Sequence, residues 1–358
     1  MADMKDIRDI KDIKDIKDIK SMSVREIADL MKTIGEPAYR GKQIFSWLNK
    51  GVRDFQEMTD LSKDLRRKLA ENCELSPPVA VRKQVSKADG TMKILWRFPD
   101  GNHVESVFMR YRHGNTVCVS TQAGCRMNCA FCASGIHGLA RDLKPGEILD
   151  EIIFTGLEAG EKVSNLVFMG TGEPLDNLDN VLKSLELINS PDGCNIGMRH
   201  ISLSTCGLIP GIRRLADMDL QLTLSVSLHA PDDETRSRLM PVNRAWPVDA
   251  LFTACHDYFQ KTGRRISFEY ALIHQVNDHD WQADRIAEKL RGMPGHVNLI
   301  RLNHIAGSAF QPSERLKAFQ KRLEARGVTA TVRRSLGNDI DAACGQLRAR
   351  QETREFSG

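Results

Sequence analysis

Short β-type runs alternate with helical runs over most of the chain, from Val117 to Arg334. Such alternation predicts βα units around a parallel sheet, because parallel neighbouring strands are usually joined by a helical crossover. The expected strands are residues 117–120, 166–170, 201–205, 222–228, 266–273, 297–302 and 329–334. The expected helices lie near residues 145–158, 176–189, 247–261, 279–292 and 312–326. The pattern therefore predicts an α/β fold.

Polar residues or glycines follow the ends of successive predicted strands. In barrels of parallel strands the active site lies at the carboxyl ends of the strands, so these groups would face one mouth. The repetition predicts a single binding site assembled from several strand ends. Its members would be a cysteine-rich loop at 125–132, Gly172 and Glu173, Ser204 and Thr205, Ser227 to His229, and Asn303.

The first 22 residues contain a period-three repeat, KDIRDIKDIKDIKDIK. On a helix its isoleucines would drift around the axis instead of lining one face, because three residues turn about 300°. Alternating lysine and aspartate would keep such a segment soluble. We therefore predict that residues 1–22 form a low-complexity tail.

The rest of the chain divides into four further segments. Ser23 and Glu26 have the spacing of a capping box and would begin a small helical domain. Turns at Asp89-Gly90 and Asp100-Gly101 separate β-type runs, which predicts a β-meander. The expected boundaries are 23–76 for the helical domain, 77–110 for the β extension, 111–345 for the barrel part and 346–358 for a basic C-terminal tail.

Composition narrows the class of protein. No run of 18 or more apolar residues is present, so we expect no membrane-spanning segment. The N-terminal residues lack an apolar signal core, and we expect a cytoplasmic protein. The formal net charge is +4, but eleven Lys and Arg residues stand against six Asp and Glu residues from Val297 onward. This excess suits either a solvated surface or a polyanion such as RNA.

Nine cysteines occur, and their odd number without an export signal argues against a disulfide framework. Three of them, Cys125, Cys129 and Cys132, lie within eight residues. Three thiolates on a short loop can hold three irons of a 4Fe-4S cluster, which leaves the fourth iron for a small molecule. The alternative is a zinc site with His137 as the nearest fourth ligand. Zinc fingers usually pair cysteines as Cys-x-x-Cys, so the spacing here favours the cluster.

The spacing Cys-x-x-x-Cys-x-x-Cys, with Phe131 before the third cysteine, resembles the signature of radical S-adenosylmethionine (SAM) enzymes. From about residue 23 to residue 350, the chain closely resembles the bacterial adenine-C2 methyltransferases of large-subunit ribosomal RNA and transfer RNA. The resemblance implies a partial (βα)6 radical SAM barrel. The motifs that carry it are GEPAYRGKQIFSWL, FMGTGEP, LSTCG, SLHAP and DIDAACGQL.

The resemblance also implies cofactors. One 4Fe-4S cluster would be bound by Cys125, Cys129 and Cys132, and SAM would chelate its free iron. Two SAM molecules would be used per turnover, one as methyl donor and one as radical source. A carboxylate suits the ammonium group of SAM, and serine and asparagine suit its ribose hydroxyls. The residues expected to contact SAM are Gly172, Glu173, Ser204, Ser227, Leu228, His229 and Asn303.

Two lone cysteines acquire roles by the same resemblance. Cys344 would be the methyl carrier, through an S-methylcysteine intermediate, and Cys118 the resolving cysteine. C2 of adenine is not nucleophilic and does not attack the sulfonium methyl of SAM, whereas a thiolate does. A methylene radical on methylated Cys344 would then add to adenine, and Cys118 would release the product by forming a disulfide. Glu105 matches the family's proton acceptor.

The resemblance further implies 23S rRNA and tRNA as partners, together with an external one-electron reductant. We expect a monomer. Arg301 and His304 flank Leu302-Asn303 where the C2 enzymes commonly have proline, and an arginine there resembles the C8-methylating relatives. Two alternatives therefore stay open: methylation of C8 of the same rRNA adenosine, and a non-catalytic metal-bearing RNA-binding protein.

Overall fold

The structure, a computed structural model, describes residues 16–303, 308–342 and 345–346. Cys344 and His304 lie outside the described residues, as do residues 1–15 of the repeat and residues 347–358 of the expected basic tail. Within the described ranges, no helix has the length and apolar character needed to cross a membrane.

Three helices follow the repeat: α1 Val24–Thr33, α2 Arg40–Asn49 and α3 Lys63–Asn72. The capping box at the start of α1 is confirmed. Ser23 Oγ accepts a hydrogen bond from the Glu26 amide at 3.3 Å, and the Glu26 carboxylate accepts one from the Ser23 amide at 2.7 Å. The helices bury one side each in a shared core that includes Ile27, Met31, Ile44, Phe45, Leu48, Leu65 and Leu69.

The last residues of the repeat are packed, which corrects the expected tail at 1–22. Strand β1 Lys17–Asp18 pairs in parallel with strand β2 Cys73–Glu74. Ile19 is 0% exposed and Lys20 is 4% exposed. The period of the repeat could not indicate this, because the pairing partner, Cys73–Glu74, is distant in the sequence.

Lys20 joins the helical domain to the barrel part. Its ammonium donates a hydrogen bond to the Leu48 carbonyl at 3.0 Å and forms an ion pair with the carboxylate of Asp150. Both side chains are almost completely buried. Burial raises the pKa of Asp150 to about 6, although the Lys20 ammonium acts in the opposite direction.

The expected meander is confirmed as three antiparallel strands: β3 Val79–Val85, β4 Met92–Arg97 and β5 His103–Tyr111. Gly90 occupies the first turn with φ +73°, a conformation that glycine adopts without strain. The meander is not a separate layer. β5 pairs antiparallel with β6 Gly114–Val119, so the meander continues the barrel sheet.

The parallel part of the sheet confirms the expected α/β fold. The ten strands lie in the order β14-β13-β12-β11-β10-β9-β6-β5-β4-β3, and every pair from β6 to β14 is parallel. The sheet has two free edges, so the barrel is partial. The strands after β6 are β9 Asn165–Phe168, β10 Ile201–Thr205, β11 Thr223–Ser227, β12 Ile266–Leu272, β13 Gly295–Arg301 and β14 Thr329–Val332.

Helices connect these strands, and a small hairpin of β7 Gln122–Gly124 and β8 Leu139–Asp142 brackets the cysteine loop. The sequence pattern does not predict α6 and α7, because helices of nine and seven residues contain too few turns to show a period. The helices are α4 Pro145–Ala159, α5 Leu178–Asn189, α6 Ile209–Asp217, α7 Asp233–Leu239, α8 Val248–Thr262, α9 Asp280–Lys289 and α10 Leu316–Ala325.

A buried carboxyl group fixes α4 against the sheet where the meander meets the barrel. Glu151 of α4 is 0% exposed and accepts hydrogen bonds from Ser106 Oγ at 2.7 Å and from the Ser120 amide at 3.1 Å. Burial raises the pKa of Glu151 well above its usual range, which favours the uncharged form. The contact leaves the opposite face of β5 for the site described below.

Lys20→Met tests the docking of the repeat. Removal of one partner from a buried ion pair leaves the other charge uncompensated. We therefore expect the free energy of unfolding to fall by about 3–5 kcal/mol. Without Lys20, the pKa of Asp150 in the folded protein rises further above its unfolded value. The loss of stability should therefore be smaller at pH 5 than at pH 8 in urea unfolding.

Lys32→Met is the matched control, because it removes a lysine from an exposed pair with Asp29 at 2.7 Å. Exposed pairs contribute little, so this variant should unfold like the unaltered protein at both pH values. Equal stability of the Lys20 and Lys32 variants would contradict the assigned role of Lys20.

Candidate active site

The cysteine loop lies between β7 and β8 and is held by its own backbone. The Cys125 amide donates to the Gly138 carbonyl at 2.9 Å, and the Cys132 amide donates to the Cys129 carbonyl at 3.1 Å. Asn128 adopts φ +50° at the turn between these contacts. The loop thus projects three thiols from a fixed base at the carboxyl end of β6.

All three thiols line a cavity at the mouth of the barrel, called the cysteine cavity below. In the described ranges, no three His, Cys, Asp or Glu side chains converge closely enough to bind one metal ion. A cluster does not require such convergence, because each thiolate binds a different iron. Burial raises the pKa of the Cys125 thiol to about 12, and bound iron would supply the positive charge that stabilises a thiolate there. The three thiols therefore fit a 4Fe-4S cluster, in which each thiolate binds a separate iron.

Six of the seven residues expected to contact SAM line the same cavity. They come from the ends of different strands, as the alternating pattern predicts. Leu228 is the exception, since its side chain is 0% exposed and packs in the core. The six lining residues are Gly172, Glu173, Ser204, Ser227, His229 and Asn303.

Glu173 is oriented by backbone amides. Its carboxylate accepts hydrogen bonds from the Cys206 amide at 2.7 Å and the Leu175 amide at 3.0 Å, and its own amide donates to Gln122 Oε1 at 2.8 Å. Burial raises the pKa of Glu173, because water is excluded from the carboxylate. The side chains of Thr205 and Cys206 also form hydrogen bonds with this carboxylate, whose negative charge suits an incoming ammonium group.

Gly172 allows the loop after β9 to approach the segment after β6. Its φ is +107°, and a Cβ atom there would lie 2.7 Å from Gln122 Cβ and 2.8 Å from Thr121 Oγ1. No side chain fits in this space without moving the backbone. The glycine is therefore required both for its dihedral angle and for the close approach.

His229 is uncharged in the folded protein. Burial and the neighbouring Arg236 charge lower its pKa to about 3. Its Nδ1 accepts a hydrogen bond from the Ala271 amide at 2.9 Å, so a neutral ring carries its proton on Nε2. The ring meets Phe131 edge-on at a centroid distance of 4.7 Å. His229 can therefore act as a hydrogen-bond donor toward a bound ligand.

Arg236 was not predicted from the sequence. Its guanidinium is 0% exposed and donates to the carbonyls of Ser227 at 3.1 Å, Leu228 at 3.1 Å and Cys206 at 2.7 Å. It thus ties the ends of β10 and β11 together beneath the cavity. A single arginine shortly after a strand gives no sequence signal for this role, because the partners are backbone atoms.

Glu269 of β12 is another lining residue that sequence reasoning missed. It accepts a hydrogen bond from Asn298 Nδ2 at 2.9 Å and lies 3.9 Å from the Arg333 guanidinium. Burial raises the pKa of Glu269. A lone acidic residue in the apolar-rich run ISFEYALI was the available signal.

Cys118 lines a second, smaller cavity beside the first. It is 6% exposed and packs with Val107, Met109, Leu336 and Ala342. Asn303 lines both cavities, which makes them neighbours at the barrel mouth.

Glu105 lies on the same face of the sheet as Cys118. Glu105 is opposite Leu95 of β4, while Cys118 is opposite Val107, two residues farther along β5. Because alternate residues of a strand share a face, Glu105, Val107 and Cys118 point to one side. Glu105 is 6% exposed and pairs with Lys93 at 3.3 Å.

The residues that flank Cys344 reach both cavities, although Cys344 itself lies outside the described ranges. Ala342 belongs to the apolar group around Cys118. Gly345 lines the cysteine cavity, and its carbonyl accepts a hydrogen bond from the Ala133 amide, next to Cys132, at 2.8 Å. The expected methyl carrier is therefore bracketed by one residue at each cavity.

Gly172→Ala tests the close approach in the cavity wall. The new Cβ must displace Gln122, so we expect SAM affinity to fall about tenfold, which corresponds to about 1.4 kcal/mol of strain. Equilibrium dialysis of the cluster-loaded protein against SAM measures this effect.

Gly263→Ala serves as the control. Gly263 has a similar need for positive φ, at +64°, but has no atom within 4 Å of its Cβ position. It should bind SAM like the unaltered protein. A SAM affinity of the Gly172 variant equal to that of the control would refute the role assigned to the contact.

Comparison with known proteins agrees with this geometry. Residues 119–285 match the family model of the radical SAM superfamily. Residues 17–75 match the model of the ribosomal RNA large subunit methyltransferase N-terminal domain. The second match includes the last residues of the repeat, which pack against the helical domain.

Curated relatives match nearly the whole chain. A probable dual-specificity RNA methyltransferase RlmN from Desulforamulus reducens is 51% identical over 332 residues, which cover 92% of this chain and 95% of the relative. The corresponding protein of Alkaliphilus oremlandii is 48% identical over 91% of this chain and 96% of its own length. A crystal structure of a radical SAM methyltransferase from Sphaerobacter thermophilus superposes with a TM-score of 0.89 at 44% identity, covering 93% of this chain and 99% of that one.

These matches confirm the radical SAM fold and the use of SAM with a 4Fe-4S cluster, and they favour an enzyme over a non-catalytic metal-bearing protein. The cavity at the barrel mouth brings together the three thiols and the strand-end polar groups that the sequence singles out. The chain belongs to the RlmN family of radical SAM RNA methyltransferases.

Proposed function

We propose that this protein methylates C2 of a specific adenosine in the peptidyl transferase region of 23S rRNA, and C2 of the adenosine next to the anticodon in tRNAs. The curated relatives are named dual-specificity RNA methyltransferases. The observation that carries the proposal is the bracketing of Cys344. Ala342 lies against Cys118, and Gly345 lines the cysteine cavity, so the described residues on the two sides of position 344 reach both cavities.

The cluster and SAM, when bound together, supply a 5′-deoxyadenosyl radical after one-electron reduction. Cys125, Cys129 and Cys132 would hold the cluster. Glu173 would pair with the ammonium group of SAM, and His229 would donate from Nε2 to a SAM oxygen. The apolar ring of Phe131 would help to exclude water from this region.

Cys344 would first act as a nucleophile. Its thiolate takes the methyl group from one SAM molecule, forms a thioether and leaves S-adenosylhomocysteine. A second SAM molecule is required because the thioether methyl must then lose a hydrogen atom. The resulting methylene radical adds to C2 of adenine and joins the protein covalently to the RNA.

Glu105 and Cys118 would complete the reaction. The adduct would lose one electron to the cluster, which SAM cleavage leaves oxidised, and the C2 proton to the Glu105 carboxylate, which restores the aromatic ring. The Cys118 thiolate then attacks the sulfur of Cys344, so a disulfide forms as the carbon–sulfur bond breaks. The released carbon takes a proton and becomes the methyl group. An external reductant must reduce the disulfide before the next turnover.

The helical domain would contact structured RNA. Tyr39 is 61% exposed, and the Arg40 guanidinium lies 5.0 Å from the centre of its ring. Lys50, the residue after α2, lies 4.3 Å from the ring centre of Trp47. Aromatic rings beside cations suit unstacked bases and phosphates.

We propose that the protein acts as a monomer.

The second candidate is methylation of C8 of the same rRNA adenosine. Arg301 lines the cysteine cavity and forms an exposed pair with Glu314 at 3.0 Å. This arginine stands at the position where the sequence departs from the C2 pattern. Both candidates use the same cysteines, so only the product distinguishes them.

RNA from a strain that lacks this gene distinguishes C2 from C8. We expect mass spectrometry of digested 23S rRNA and tRNA to show loss of 2-methyladenosine from both RNAs. Complementation with the intact gene should restore the modified nucleoside. Persistence of 2-methyladenosine, or loss of 8-methyladenosine instead, would contradict the C2 assignment.

Variants of the two lone cysteines separate their proposed roles. Cys344→Ala should still cleave SAM on reduction but should transfer no methyl group to RNA, because the carrier is absent. Cys118→Ala should accumulate a covalent protein–RNA adduct, visible as a slow band on denaturing gels that ribonuclease removes.

Cys194→Ala is the matched control, since Cys194 lines neither of the two cavities. It should methylate RNA normally and form no adduct. Methylation of RNA by the Cys344 variant would exclude the thioether route.

A further inference from the structure

Lys93 of β4 stands in one row with the resolving cysteine. Lys93 lies opposite Val107 of β5, and Val107 lies opposite Cys118 of β6. Directly opposite residues share a face, so the three side chains cross the sheet on the side that also carries Glu105. Lys93 is only 7% exposed, and a lysine is rarely buried to this extent unless it is paired.

The Lys93 ammonium contacts two groups that matter for the proposed reaction. It lies 3.3 Å from Glu105 Oε1 and donates a hydrogen bond to the Asp341 carbonyl at 3.0 Å. Glu105 is the proposed proton acceptor, and Asp341 precedes Cys344 by three residues. One cation therefore links the carboxylate to the backbone that leads to the methyl carrier.

The backbone of Asp341 is held in a strained form at this contact. Its φ is +51°, a region that residues other than glycine seldom occupy. Such a conformation persists only where surrounding contacts hold it, and such residues cluster at functional sites. The hydrogen bond from Lys93 is one of these contacts.

The turn between β3 and β4 holds the same C-terminal segment from a second side. Asp89 Oδ2 accepts from the Gly337 amide at 2.9 Å, and Asp339 Oδ2 accepts from the Lys87 amide at 2.9 Å. The Ala342 amide donates to the Gly337 carbonyl at 3.0 Å. Residues 337–342 are thus fixed to the meander, and Lys93 is the buried end of that attachment.

We propose that Lys93 is a positioning residue that holds Glu105 and the segment before Cys344 in a fixed relation, so that proton removal and adduct release follow radical addition. The inference rests on the proposed function, in which Cys344 carries the methyl group and Glu105 accepts the proton. The β-meander thereby acquires a role: it supplies the support on which the methyl carrier is presented.

Lys93→Met and Lys93→Arg test this role in the full-length, cluster-loaded protein. We expect the Met variant to cleave SAM as the unaltered protein does. Its RNA methylation should fall at least about tenfold, so that more 5′-deoxyadenosine forms per methylated adenosine. We call the amount of methylated adenosine formed per 5′-deoxyadenosine the coupling. The Arg variant should recover most of this coupling, because it keeps a cation and hydrogen-bond donors at the same place.

The double variant Lys93→Met/Glu105→Gln keeps the test valid if the single Met variant folds poorly, since it leaves no uncompensated carboxylate. We expect its RNA methylation to be higher than the product of the two single losses predicts, because Lys93 acts partly through Glu105. Independent effects, in which the two losses multiply, would overturn the inference.

Normal coupling in Lys93→Met would also overturn it, as would a loss in Lys93→Arg equal to that in Lys93→Met. The unaltered protein reports on the proposed function separately. If it forms no methylated Cys344 and no methylated RNA, the proposed function itself is wrong. If it is active and the Met variant is equally active, only the role of Lys93 is wrong.

Discussion

The antiparallel pairing of β5 with β6 is the interaction on which the rest of the site depends. It joins the meander to the parallel sheet, so that ten strands form one continuous surface. Successive residues of β5 point to opposite faces of the sheet, so the two faces contact different groups. Ser106 turns toward the buried Glu151 of α4, and Glu105 turns toward the face that carries Cys118. A shift of one residue would exchange these two environments.

Buried ionisable groups line and support the cysteine cavity. Glu173 keeps its oxygens on two backbone amides, and His229 is held neutral with Nδ1 occupied as an acceptor. Arg236 supplies a buried cation whose partners are mostly carbonyl oxygens. Because each group has a fixed partner inside the protein, the directions left open toward the cavity are defined before any ligand binds.

Much of the fold and of the candidate site could be predicted from the sequence, and the wrong or missing predictions have physical causes. The strand expected at 201–205 coincides with β10, because its run ends at polar residues that mark a strand end. Short α6 and α7 escaped prediction because they contain too few turns. Leu228 was grouped with its neighbours Ser227 and His229, although adjacent residues point in opposite directions and only the neighbours line the cavity. Lys20 was assigned to a tail because a repeat pattern does not show that one of its lysines pairs with a distant buried residue, Asp150.

The sequence by itself determined the chemistry that this chain can support: three closely spaced cysteines, polar strand ends, and two further cysteines at 118 and 344. These are local patterns, which can be recognised in the sequence without knowledge of the fold. Only the tertiary structure decided which groups meet. Glu105 and Asp341 are far apart along the chain, and the pairing of strands and the return of the C-terminal segment bring both within 3.3 Å of the Lys93 ammonium group. Contacts between distant residues depend on register and burial, which no single stretch of sequence records.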